Sequence, residues 1–92
     1  MEPTRKVLVL DDNLLDVMEA EEHLEAGGYT VVTLSSPNGV ISKIDYEEPE
    51  ILLMDLQMPR LDIEELLDTL RGAWEYEDLV IVLFSDMDAE KL

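Results

Sequence analysis

Four short apolar runs, at residues 7–10, 31–34, 51–54 and 80–84, constrain this chain more than any other feature. Each is four or five residues long and rich in Val, Ile or Leu. Runs of that length, separated by stretches of helical spacing, read as strands. Three are unbroken by polar residues, the pattern of strands covered on both faces of a parallel sheet. The run at 31–34 contains Thr33 and follows Thr30, which suits an edge strand. With 92 residues the chain is expected to be a single domain, 1–92, without repeats or a linker.

The stretches between the runs carry a helical period. Over residues 13–26, Val17, Ala20 and Leu24 share one face, and Gly27-Gly28 is a stop. Ser36-Pro37 predicts an N-cap followed by proline in the first turn of a second helix, with Val40, Ile41 and Ile44 as its apolar stripe. Asp62 and Glu65 fit a capping box in its Asp variant, ahead of Leu66, Leu67 and Leu70, with Gly72 near the end. A further helix starts at about Asp88. The order is β-α-β-α-β-α-β, which implies right-handed crossovers and a doubly wound α/β fold: a parallel sheet with helices on both faces.

Charge then narrows the function. The chain carries 23 acidic and 6 basic residues, a net charge of −17. Phosphate-backbone binding needs clustered Lys and Arg, so direct nucleic-acid binding is not expected. An anionic membrane surface would repel the chain, and no apolar run approaches the ~18 residues of a membrane span. With no cysteine there is neither a disulfide framework nor a thiolate metal site, which fits a reducing compartment. A soluble, cytoplasmic protein is the expectation.

The remaining signal is where the acids fall. In open α/β sheets ligands bind beyond the carboxyl ends of the strands. The first run ends in Asp11-Asp12, the third in Asp55 and the fourth in Ser85-Asp86. If the first and third strands are neighbours, three carboxylates converge. Two unit charges ~4 Å apart repel by about 4 kcal/mol at an effective dielectric near 20. Either one carboxyl keeps its proton or a cation neutralises the group. Oxygen-only ligands favour Mg²⁺, which can also accept a phosphate oxygen. The plainer alternative is that these residues cap helices, a role Asp12 could fill for the first helix. His23, the only histidine, lies among Glu21, Glu22 and Glu25 and reads as a helix-surface residue. Trp74 and Tyr76 are expected to cover the loop before the fourth strand, and Met18, Met54, Met58 and Met87 to fill gaps.

Read together, residues 7–13 (Val-Leu-Val-Leu-Asp-Asp-Asn), 28–31 (Gly-Tyr-Thr-Val) and 51–59 (Ile-Leu-Leu-Met-Asp-Leu-Gln-Met-Pro) resemble the receiver domain of bacterial response regulators. Leu61-Asp62, Glu65-Leu66-Leu67 and residues 80–85 continue the likeness. The resemblance implies a flavodoxin/CheY-like sheet in the order 2-1-3-4. It also implies that Asp55 is the phosphoryl acceptor. Asp12, Asp55 and the backbone carbonyl of Gln57 would ligate Mg²⁺, Asp11 would act through a bound water, and Ser85 would supply the switch hydroxyl. The donor would be a sensor histidine kinase or a phosphotransfer protein of a two-component phosphorelay. Chemistry would be limited to self-phosphorylation from that donor and autodephosphorylation.

Two departures stand beside the likeness. Ile63 replaces the glycine usual after Asp62, so the entry to the third helix should differ. The chain ends at Leu92, before the family's fifth strand and last helix, so no residue here matches the lysine that contacts the phosphoryl group; Lys91 does not occupy its place. A fragment and a short natural form are both compatible with that. Without the lysine, a pseudo-receiver acting as an interaction module is the main alternative function. A phosphatase-like or flavin-binding enzyme is disfavoured, because neither a Ser/Thr/Gly phosphate loop nor Asp-x-Asp follows the first strand. The uncovered edge of the fourth strand and the uncovered face beside Val17, Ala20 and Leu24 lead to the expectation of a homodimer.

Overall fold

The computed structural model describes residues 5–55 and 62–84. Four strands, β1 (Lys6–Leu10), β2 (Thr30–Leu34), β3 (Ile51–Asp55) and β4 (Val80–Phe84), form one sheet in the order β2-β1-β3-β4. All three pairings are parallel. Helices α1 (Leu14–Ala26), α2 (Val40–Glu47) and α3 (Ile63–Arg71) connect them, with a short 3₁₀ turn at Trp74–Tyr76 before β4. The expected α/β architecture and strand order are both present, and β2 is an edge strand as its threonines suggested. The helix expected from Asp88 lies outside the described residues.

Alternation along the central strands divides the core. Leu8 and Leu10 of β1 and Leu52 and Met54 of β3 point to one face, where they pack with Val40 and Ile44 of α2 and Leu66 and Leu70 of α3. Val7 and Val9 are equally buried. They belong to the opposite face by alternation, where α1 crosses β1 and β2 and buries Val17. Ion pairs from Glu47 to Lys6 at the start of β1 and to Lys43 within α2, both at 3.3 Å, anchor the end of α2.

Four local expectations are corrected. The second helix starts at Val40, not at Pro37. Ser36 Oγ accepts a hydrogen bond from the Asn38 N–H, so Ser36-Pro37 makes a separate turn, and Gly39 enters the helix in the left-handed region at φ 77°. Among the described residues β4 is not covered on both faces: Val80 and Val82 are 55% and 42% exposed, because α1 packs mainly on β1 and β2. Trp74 is 80% exposed and covers little, and Met18 is exposed rather than filling a gap, whereas Met54 is buried. Tyr76 does tie its turn to the rest, donating its hydroxyl proton to Asp45 of α2.

The helix stops and caps follow the sequence more closely. Asp62 Oδ1 accepts the Glu65 N–H at 3.0 Å, Ile63 opens α3 and packs at the edge of the core, and Gly27 and Gly72 end α1 and α3. Burial sets the expected cost of truncation. Leu8→Ala should destabilise the fold by about 2–5 kcal/mol, whereas Val82→Ala should cost less than about 1 kcal/mol. Urea unfolding followed by far-ultraviolet circular dichroism measures both.

Candidate acidic site

The register of β1 against β3 builds the site. Leu10 is paired with Met54, so the next residues, Asp11 and Asp55, stand side by side at the carboxyl ends of adjacent strands. Alternation sends both side chains to the α1 face. Asp12 follows in the turn into α1. One carboxylate oxygen from each of Asp11, Asp12 and Asp55 lies within 4.8 Å of the others. Asp11 and Asp55 are buried, with 0% and 2% exposure, while Asp12 is open to solvent.

Asp11 is the strained member. Its Oδ1 accepts the backbone N–H of Asn13 at 2.9 Å, whereas its Oδ2 is buried and makes no hydrogen bond. Burial pushes its pKa from the ordinary 3.8 up to about 6; the Asn13 N–H pulls it down, while the charge of Asp55, the hydrogen bond that Asp55 offers to the protonated form, and then the charge of Asp16 push it up. The ionised form of Asp11 is therefore disfavoured, a penalty that a proton or a cation can relieve.

Asp11, Asp12 and Asp55, the three carboxylates expected to converge, lie together in the structure. Gln57, Met58, Ser85, Met87 and Lys91 lie outside the described residues. Asp12 does not cap the first helix. Asn13 does, its Oδ1 accepting from the N–H groups of Leu15 and Asp16 at 3.0 and 3.2 Å. That role was missed, although an asparagine directly before a leucine-rich helical stretch is a recognisable cap signal. His23 is exposed on α1. Trp74 precedes β4, at the opposite end of the parallel strands from the acids, and is therefore a poor reporter of events at the site.

Comparison with known proteins gives the family. The family model "Response regulator receiver domain" matches residues 7–92. The chain belongs to the response regulator receiver family. This receiver domain is 34% identical over 88 residues to the alkaline phosphatase synthesis transcriptional regulatory protein PhoP of Bacillus subtilis, covering 96% of this chain and 37% of that protein. It is 32% identical over 72 residues to the sensor protein GacS of Pseudomonas syringae, covering 78% of this chain and 8% of that one. The chain thus spans well under half the length of either relative. Among solved structures, the chemotaxis response regulator CheY4 of Vibrio cholerae superposes with a TM-score of 0.81 at 22% identity, covering 97% of this chain and 75% of that one. That likeness is one of fold. Among the described residues no helix is long and apolar enough to cross a membrane.

The raised pKa of Asp11 has a direct consequence for the receiver domain without metal. The native state binds this proton more tightly than the unfolded chain does. The associated stability is therefore full below pH ~4 and is lost as pH rises through about 6. In chelator-treated protein, Asp11→Asn should remove this loss, so that the variant gains on the parent between pH 4 and 7. Urea unfolding at a series of pH values measures the gain.

Proposed function

We propose that this receiver domain accepts a phosphoryl group on Asp55 with Mg²⁺ held at the acidic site. The observation that carries the reading is the convergence of Asp11, Asp12 and Asp55 at adjoining strand ends, with one buried oxygen of Asp11 left without a hydrogen bond. A small oxygen-seeking cation fits that donor set. Asp12 and Asp55 would ligate it and Asp11 would act through a bound water. By family resemblance the Gln57 carbonyl and the Ser85 hydroxyl complete the set, outside the described residues. The bound ion would offset the charge of the incoming phosphate and of the developing transition state.

The protein's own part is nucleophilic. A carboxylate oxygen of Asp55 attacks phosphorus, forming an acyl phosphate as the bond from phosphorus to the donor breaks. Burial of Asp55 at the rigid end of β3 fixes its position and limits access by water. A sensor histidine kinase or phosphotransfer protein is the proposed donor, supported by the match to a sensor protein over most of this chain. The net charge of −17 favours a protein partner over nucleic acid.

Incubation with acetyl phosphate and Mg²⁺ should add one phosphoryl mass to the intact protein, and neither Asp55→Asn nor excess chelator should permit the adduct. Absence of the adduct under conditions that label a complete receiver would overturn the reading in favour of an interaction-only pseudo-receiver.

Pairing of two copies through β4 is a second part of the proposal, favoured by the exposure of Val80, Val82 and Leu83 at the edge of the described sheet. Screening at ~0.15 M salt confines the opposing charge repulsion to about 8 Å. Sedimentation equilibrium at physiological salt should then give a dimer, and a folded monomer at tens of micromolar would exclude it.

A further inference from the structure

We infer that Asn13 is a positioning residue for the acidic site, through its capping of α1. The turn between β1 and α1 is held from both ends. At its start, the Asp11 N–H donates to the Leu34 carbonyl of β2 at 3.2 Å, fixing the backbone of Asp11 against the sheet. At its end, Asn13 Oδ1 accepts the N–H groups of Leu15 and Asp16, and its carbonyl accepts the Val17 N–H at 3.0 Å, which locks Asn13 onto the first turn of α1. Between these anchors the Asn13 N–H reaches back 2.9 Å to Asp11 Oδ1. That bond occupies one oxygen of Asp11 and leaves Oδ2 as the buried oxygen without a partner. Asp12 sits between the two anchored residues and is exposed, and among the described residues its place in the cluster follows from this turn. The cap is thus the shared support of two of the three carboxylates.

Removing the Asn13 side chain frees two N–H groups of the first turn of α1, and with them the constraint on the Asn13 backbone that orients Asp11. Helix ends without a cap fray. The first place to loosen is then the segment carrying Asp11 and Asp12, while β3 and Asp55 keep their place in the sheet. Groups that orient metal ligands without touching the ion commonly alter affinity by 10-fold or more.

The inference rests on the assignment of the acidic cluster as a Mg²⁺ site, and the experiment separates the two. Mg²⁺ alone is titrated into the intact chain by calorimetry, with amide chemical shifts of residues 11–16 as a second readout. The parent is compared with Asn13→Ala, Asn13→Ser and Ile44→Val. Ile44 is buried between α2 and the sheet, far along the chain from the cap, and its truncation should lower Tm about as much as loss of the cap does. Asn13→Ala should weaken Mg²⁺ by about tenfold. Asn13→Ser, which keeps a capping oxygen, should recover most of the affinity, and Ile44→Val should bind like the parent. Parental affinity in Asn13→Ala, failure of Asn13→Ser to recover, or equal weakening by Ile44→Val would each overturn the positioning role. A parent that takes up no Mg²⁺ would overturn the metal assignment itself, and the inference with it.

Discussion

The pairing of β1 with β3 is the interaction on which everything else depends. Setting Leu10 beside Met54 places two apolar strands at the centre of the sheet, where Leu8, Leu10, Leu52 and Met54 lose essentially all contact with water. The same register carries one residue further and sets Asp11 beside Asp55. The hydrophobic effect thus fixes the position of the two carboxylates that electrostatics alone would drive apart. A shift of one residue would send the apolar set to the wrong face, so the acidic pair is as firmly specified as the core beneath it.

The site is consequently a place where local energy is spent against the fold. Asp11 is buried with an oxygen that makes no hydrogen bond, beside a second buried acid, in a chain whose net charge is already −17. Burying such a group is unfavourable unless something compensates. Its pKa rises to about 6 as a result. Structural roles such as capping would not require this arrangement, because a cap can stay in solvent, as Asp62 does at α3. Acid, metal or phosphoryl chemistry at strand ends does require it, since the reacting groups must be close, held and dry.

Elements away from the centre are secured by smaller devices. Glu47 pairs with Lys43 of its own helix and joins α2 to β1 through Lys6; Lys43 first and then Lys6 hold its carboxyl below the usual range. Tyr76 joins the turn before β4 to Asp45 of α2, which raises the tyrosine pKa to about 12. These contacts are exposed or partly exposed and contribute modestly each, yet they set the lateral position of α2 and β4 at the end of the sheet opposite the acids.

The apolar runs alone determined four strands, because short β-branched stretches flanked by helical spacing admit little else. Their acidic ends mark Asp11, Asp12 and Asp55 as the candidate site, and family likeness implies the strand order that makes Asp11 and Asp55 neighbours. The glycine stops and the Asp62 cap were equally legible, since each depends only on residues close in sequence. Tertiary structure decided what depends on partners distant in the chain. It set which apolar residues are covered: Val82 of β4 is as hydrophobic as Val9 of β1, but α1 packs mainly on β1 and β2. The start of α2 at Val40 has a local cause instead, since Ser36-Pro37 closes a turn of its own and Gly39 enters the helix at positive φ. Tertiary structure also gave the cap of α1 to Asn13 rather than Asp12, since the pinning of Asp11 to β2 leaves Asn13 as the residue facing the free N–H groups of the helix.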